Sequence, residues 1–184
     1  ATGGTTIAAA LNEAKYYLDY TKSSDADAAC RQKFVILMTD GADTFACTQQ
    51  DGSESDRDQY RGRRETVARA RELANAGYYV FVIGFGSNMP YYLQNTLHWA
   101  GYYGRTKNTA QTQSISQWYT IPSGQIYPTG ISQCSASPTA GSSPHYYATT
   151  NDPGEAGISG YAFIAQNSDD LDAAIYAIRD FIVA

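Results

Sequence analysis

The sequence predicts an α/β fold, a Rossmann-like parallel sheet sandwiched by helices. Two apolar runs, residues 33–39 and 78–85, lack polar alternation and are typical of strands buried on both faces. The neighbouring segments carry apolar residues at helical spacing. Because helices and strands alternate along the chain, we expect the strands to run parallel, with helices packed on both faces of the sheet.

The first helix is predicted to begin next to Thr5 and to end near Tyr20. Apolar residues recur at helical spacing from Ile7 to Leu18, and Thr5 or Thr6 is suited to cap the amino end. A polar connection then leads to the first apolar run, which is the first strand.

A second helix is predicted over residues 61–76. Val67 and Leu73 belong to its apolar face, and Gly77 follows as the residue type that most readily takes the left-handed conformation at a helix end. We expect its arginines on a solvated face, although they could also dock a partner. These arginines are Arg63, Arg64, Arg69 and Arg71.

The second half of the chain begins with a shorter helix, predicted from Pro90 to Ala100 and ended by Gly101. Residues 104–157 hold five of the six prolines and show little periodicity, so we expect an insertion of loops and short strands. The last strand is predicted at residues 161–165.

The final helix has the clearest amino-terminal signal. Ser168 is suited to cap it, Asp169 and Asp170 fall in its first turn, and Leu171 and Ile178 lie on its apolar face. With this helix, the chain of 184 residues is predicted to form one domain that contains the insertion.

Composition excludes some classes of function. The net charge of -5 argues against a general nucleic-acid binder, which needs clustered Lys and Arg. No apolar run approaches the roughly 20 residues of a spanning helix, so no membrane insertion is expected. The 16 tyrosines include repeated pairs, which we expect to pack half-buried, with stacking on sugars or peptides as the alternative.

A candidate cation site lies where the first strand ends. Asp40 follows that strand, and side chains at the carboxyl ends of parallel strands converge in the crevice where such sheets bind ligands. Thr5 would supply a hydroxyl from the start of the first helix. Without further information these residues are also explained as a loop cap and a helix cap. Asp43 is either a supporting residue or a plain turn residue.

Four segments carry a family resemblance: Gly-Gly-Thr-x-Ile-Ala-x-Ala-Leu at 3–11, Cys-x-x-x-Phe-Val-Ile-Leu-x-Thr-Asp-Gly at 30–41, Val-Ile-Gly-Phe-Gly at 82–86 and Leu-Asp-Ala-Ala-Ile at 171–175. Together they resemble the von Willebrand factor A domain, most closely that of type IV pilus tip-associated adhesins of the PilY group. The resemblance implies a metal-ion-dependent adhesion site, with Thr5 and Asp40 as metal ligands.

The family's Asp-x-Ser-x-Ser element, which supplies the other ligands, is expected on a strand before residue 1. The resemblance therefore implies a domain incomplete at its amino end, with weak or absent Mg²⁺ binding by this chain alone. A literal match at residues 51–55 is interpreted as a polar surface loop. The missing strand would lie beside residues 33–39, so we expect a companion segment or subunit to cover that edge.

The resemblance implies an adhesion module that binds a protein or matrix ligand, located extracellularly and associated with a pilus. The alternative is a structural subunit of an extracellular filament, with a vestigial metal site. A phosphatase-like enzyme is a weaker alternative, because Ala42 stands where such enzymes place a second Asp. We therefore do not expect an enzyme.

The three cysteines allow one disulfide. Cys30 precedes the first strand and Cys47 follows it, so in a parallel sheet they lie at opposite ends of a strand roughly 23 Å long. The insertion that carries Cys134 leaves from the same end of the sheet as Cys30. A bridge between Cys30 and Cys134 is therefore favoured, and three free thiols remain the alternative.

Overall fold

A computed structural model describes residues 7–41, 60–106 and 152–183, which form a small open parallel sheet flanked by helices. The elements in chain order are α1 (Ile7–Ser24), β1 (Phe34–Thr39), α2 (Tyr60–Asn75), β2 (Tyr79–Phe85), α3 (Tyr91–Tyr103), β3 (Phe163–Ala165) and α4 (Ser168–Val183). A short 3₁₀ turn at Ala28–Cys30 precedes β1. The predicted α/β class and the order of its elements are confirmed.

The sheet has the strand order β1-β2-β3, and both pairings are parallel. β1 pairs with β2 along its full length, from Phe34 opposite Tyr79 to Thr39 opposite Gly84. β3 is shorter than predicted, and it pairs only with the last three residues of β2. Among the three described strands, β2 is therefore central and β1 lies at one edge.

Helices cover both faces of the sheet. Val80 and Val82 of β2 point into a core that includes buried residues of α1, α2 and α3. The alternate residues, Phe81 and Ile83, point into a second core with α4. This alternation follows from the two-residue period of a strand, and it explains why β2 is apolar throughout.

Two helices are longer than predicted. Helix α1 continues to Ser24 because its last polar residues bond back to the preceding turn, as the Ser23 hydroxyl does to the Tyr20 carbonyl at 2.7 Å. Helix α3 passes through Gly101 to Tyr103. Gly101 serves packing rather than termination, since a Cβ there would clash with the backbone carbonyl of Tyr161.

The carboxyl end of α2 and the amino end of α4 are both capped by hydrogen bonds. Gly77 has φ +93, and the N–H groups of Gly77 and Tyr78 donate to the carbonyls of Ala74 and Leu73, which confirms the predicted glycine cap of α2. At α4 the predicted Ser168 cap is wrong. Asn167 caps instead: its Oδ1 accepts the backbone N–H of Asp170 at 3.0 Å, so the cap lies one residue earlier.

The expectation of a solvated arginine face on α2 is also wrong. Arg63, Arg64 and Arg69 are buried. Arg63 is paired with Asp152, from a distant part of the chain, and Arg71 lies over the ring of Tyr103 at 5.4 Å. The side of α2 that sequence patterning assigns to water is therefore covered by the rest of the fold.

Candidate functional site

The carboxyl end of β1 presents Asp40 at the edge of the sheet where the parallel strands end. Thr39 is buried, and its hydroxyl donates to the Gly41 carbonyl at 2.8 Å and accepts the Gly41 N–H at 3.2 Å. These bonds close a tight turn around Asp40. The Asp40 side chain is exposed and makes no hydrogen bond or ion pair within the part of the chain that the structure describes.

Helix α1 runs along the sheet from that same edge to the opposite, amino edge. Near its carboxyl end, Lys22 donates to the Ala76 carbonyl and lies over the ring of Tyr78, both just before β2. That end of α1 is thus at the amino edge of the sheet. A helix of 18 residues spans about 27 Å, which directs its first residue, the buried Ile7, toward the carboxyl edge.

Most of the predicted site residues fall outside the described residues. Thr5, Asp43 and Cys134 lie there, so their positions relative to Asp40 and Cys30 stay predictions. Cys30 is exposed. The described part of the site contributes Asp40 alone.

One carboxylate does not make a site for Mg²⁺, which prefers six oxygen ligands in near-octahedral geometry. Among residues 7–41, 60–106 and 152–183, no group of three His, Cys, Asp or Glu side chains is placed to hold a metal ion. A complete site would need oxygen ligands from elsewhere.

A cleft of about 340 Å³ lies at the opposite, amino edge of the sheet. Its lining includes Arg31 and Lys33, both held by Asp25 at 3.1 and 3.4 Å. The pKa of Asp25 lies below its ordinary value, first because it accepts the backbone N–H of Asp27 and then because of these two cations. Arg31 and Lys33 are therefore already paired within the fold.

Beside the cleft, the Tyr78 hydroxyl donates to Asp19 at 2.6 Å, and Lys15 donates to the same carboxylate at 2.6 Å. Burial and the neighbouring Asp19 raise the pKa of Tyr78 to about 12. Burial alone would raise the pKa of Asp19, but the hydrogen bonds from Lys15 and Tyr78 outweigh it and the pKa is lowered. The hydrogen bonds to Asp19 thus connect α1 to Tyr78, the residue just before β2.

A buried clasp that sequence reasoning missed joins residues 152–156 to α2 and α3. Asp152 accepts from Nε and Nη2 of Arg63 at 2.8 and 2.5 Å, and neither side chain is more than 3% exposed. Asn95 and Trp99 of α3 donate to the carbonyls of Gly154 and Ala156, both at 2.8 Å. The only sequence signal was Asp-Pro-Gly, which is typical of a turn.

The tyrosine pairs do not share one environment. Tyr102 and Tyr103 are fully buried and pack edge to face at 5.1 Å, whereas Tyr16 and Tyr17 on α1 are 44% and 67% exposed. The expectation of half-buried packing is therefore wrong for Tyr102 and Tyr103.

Comparisons with protein-family models, curated proteins and solved structures find no match to this chain. The class that the fold defines is an α/β unit with an open parallel sheet. Within residues 7–41, 60–106 and 152–183, none of the helices combines the length and the apolar character needed to span a membrane.

Proposed function

We propose that this chain is an adhesion module similar to the von Willebrand factor A domain, which binds a protein or matrix ligand at the carboxyl edge of its sheet. The observation that carries the proposal is the turn at Thr39-Asp40-Gly41. The parallel strand β1 delivers an exposed carboxylate to that edge, and the Thr39 hydroxyl fixes the turn around it. The strand order, with β1 beside β2 and β3 beyond, is compatible with such a fold.

The direction of α1 supports the proposal that Thr5 supplies an oxygen ligand at the carboxyl edge. The first described turn of α1 is directed toward the carboxyl edge, and Thr5 lies two residues before Ile7. A hydroxyl and a carboxylate at one edge would be two of the oxygens that a hard cation such as Mg²⁺ needs. Asp43 would support them or simply form the following turn.

The remaining oxygen ligands of the proposed metal site would have to come from a partner. We propose that a companion segment or subunit supplies the remaining ligands and covers the edge of residues 33–39. Until it does so, we expect little or no Mg²⁺ binding. An adhesin with a disulfide between Cys30 and Cys134 would suit an extracellular, pilus-associated location.

The test is binding of the chain to immobilised collagen and fibronectin, with Mg²⁺ or with EDTA, for the wild type and Asp40→Ala. We expect Asp40→Ala to weaken binding at least tenfold, and EDTA to do the same once the companion segment has supplied the remaining metal ligands. Asp180→Ala is the control, since it removes another exposed carboxylate, at the far end of α4. Equal binding by the wild type and Asp40→Ala would contradict the proposal.

A structural subunit of an extracellular filament, with a vestigial metal site, is the second candidate. The single carboxylate in the described part of the site favours it. Assembly or binding that EDTA and Asp40→Ala both leave unchanged would support this second function instead.

A further inference from the structure

His98 is a buried titratable group that the proposed adhesion site does not use. It lies on α3 with 9% of its surface exposed, and its Nδ1 accepts the backbone N–H of Ala162 at 2.8 Å. An amide N–H can only donate, so Nδ1 carries a lone pair and the imidazole is neutral, with its proton on Nε2. The bond to Ala162 therefore exists only while Nδ1 of His98 is unprotonated.

The part of the chain attached in this way is the strap, residues 157–162, which joins the clasp to β3. Its residues are half-buried or exposed up to Ala162, which is 4% exposed. Gly157 has open space around it, and Gly160 has φ +87, a backbone conformation that glycine adopts easily. Segments with few buried side chains open locally at a small cost in free energy. The attachment of the strap can therefore change while the rest of the fold stays closed.

Two described contacts fasten the strap to α3. One is the bond from Ala162 to His98, and the other is the ring of Tyr161, which packs edge to face on Tyr102 with the ring centroids 4.9 Å apart. A proton on Nδ1 would replace the acceptor by a second donor, so two N–H groups would face each other in a buried place without an acceptor between them. Proton binding thus breaks the first contact and leaves the second.

The cations beside α3 oppose a positive charge on His98. Arg63 and Arg71 of α2 lie over the rings of Tyr92 and Tyr103, at 5.3 and 5.4 Å from the centroids. A like charge nearby disfavours the protonated form of a histidine. Strand β2 and the strap add only tyrosines, which are neutral where histidine titrates. Further positive charge on α2 and just after α3 comes from Arg64, Arg69 and Arg105.

The acidic groups on the described elements packed against α3 are engaged elsewhere. Asp152 is held by Arg63, and Glu155 accepts the Tyr91 hydroxyl at 3.2 Å. On α2, Arg69 lies 3.7 Å from one glutamate and 2.8 Å from another, and these are Glu65 and Glu72. The charges of these acids are therefore balanced without a protonated His98.

We propose that His98 is a pH-sensitive latch, which holds the strap on α3 while it is neutral and releases the strap when it is protonated. The latched state excludes the proton, whereas the released state binds it as a solvated histidine with a pKa of about 6.5. Because the released state binds more protons, the latch is fully effective above about pH 7 and weakens as the pH falls below about 6.5. Release loosens the approach to β3, while the pairing of β3 with β2 and the clasp persist. The latch does not depend on the adhesion site.

The test is amide hydrogen exchange of the 184-residue chain at Ala162, corrected for the intrinsic pH dependence of exchange. Between about pH 7.5 and about pH 5.5, we expect the opening constant at Ala162 to rise about tenfold. The internal control is Gly154, whose N–H donates to the Asp152 carboxylate at 2.8 Å and reports on the clasp. Its protection should change by less than about twofold, because a carboxylate stays ionised over this range. A constant opening at Ala162, or an equal rise at Gly154, would overturn the proposal.

The variant His98→Asn separates the proton from the hydrogen bond. The Asn Oδ1 can accept the Ala162 N–H from the place of Nδ1 but does not titrate, so we expect the pH dependence of opening at Ala162 to disappear. His98→Leu removes the acceptor, and Ala162 should then open more readily than in the wild type at neutral pH, again without pH dependence. A wild-type pH response in His98→Asn would contradict the latch.

The nitrogen chemical shift of Nδ1 gives a measurement that needs no variant. In the labelled wild-type chain at about pH 7.5, we expect the shift of an unprotonated nitrogen that accepts a hydrogen bond, and on acidification we expect it to change together with the opening at Ala162. A protonated Nδ1 at neutral pH, or a change in Nδ1 that leaves Ala162 equally protected, would overturn the proposal.

Discussion

Strands β1 and β2 lie side by side and have similar apolar sequences, yet their exposure differs greatly. Residues 80–83 of β2 are at most 2% exposed, whereas Ile36 and Met38 of β1 are about half exposed. The difference comes from position: among the described elements, β2 has a strand on each side and helices on both faces, whereas β1 has a strand on one side only. An apolar run thus identifies a strand, while its neighbours decide how much of it is covered.

The largest effect on stability is expected at the buried ion pair between Asp152 and Arg63, which is part of the clasp. Asp152→Ala leaves a buried guanidinium without its carboxylate, so we expect a loss of about 3–5 kcal/mol in the free energy of unfolding. Denaturant unfolding measures it. Asp180→Ala, which breaks an exposed pair with Arg179, should cost no more than about 1 kcal/mol. Similar losses for both would show that the clasp is not buried as described.

The two strands can be compared directly by truncation to alanine. Ile83→Ala should cost about 2–5 kcal/mol because it opens a cavity between β2 and α4. Met38→Ala, at an exposed position, should change the free energy of unfolding by only about 0.5 kcal/mol. Equal costs would mean that β1 is covered in the same way as β2.

Glycine substitution tests how closely α3 approaches the chain that enters β3. Gly101→Ala forces a methyl group against the Tyr161 carbonyl, and we expect about 1–3 kcal/mol of destabilisation by thermal or chemical unfolding. Gly157 has open space around it, so Gly157→Ala should stay within about 0.5 kcal/mol of the wild type. The reverse order would contradict the packing of α3.

The smallest effect concerns pH and the Tyr78 hydroxyl. Because folding raises the pKa of Tyr78 to about 12 from an ordinary value of 10.0, the stability it contributes is complete below pH 10 and is lost as the pH rises toward 12. The difference in unfolding free energy between the wild type and Tyr78→Phe should therefore narrow over this range. A constant difference would show that the Tyr78 proton is not held in the fold.

The sequence predicted the elements well because their patterns are local. The apolar runs gave β1 and β2, the helical spacing gave α1 to α4, and Gly77 ended α2 as expected. The errors arose where a distant residue decides the outcome. Asp152 buries Arg63, and the carbonyl of Tyr161 requires Gly101, and neither partner can be recognised from local periodicity.

The candidate site shows the same contrast between local features, which the sequence predicts, and contacts between distant residues, which it does not. A carboxylate at the end of an apolar strand is a local feature, and Asp40 lies at the carboxyl edge as predicted from the apolar run. Its partners depend on how separate segments meet, and Thr5 and Asp43 lie outside the described residues. The ligand set of the site therefore remains a prediction.

The most direct test of the adhesion site is the proximity of Thr5 to Asp40, measured by nuclear Overhauser effects in the labelled chain. The proposal predicts cross-peaks between the Thr5 methyl group and the protons of Asp40 or Gly41. Cross-peaks from Thr5 to residues at the amino edge of the sheet, such as Lys33, with none to Asp40 or Gly41, would contradict it.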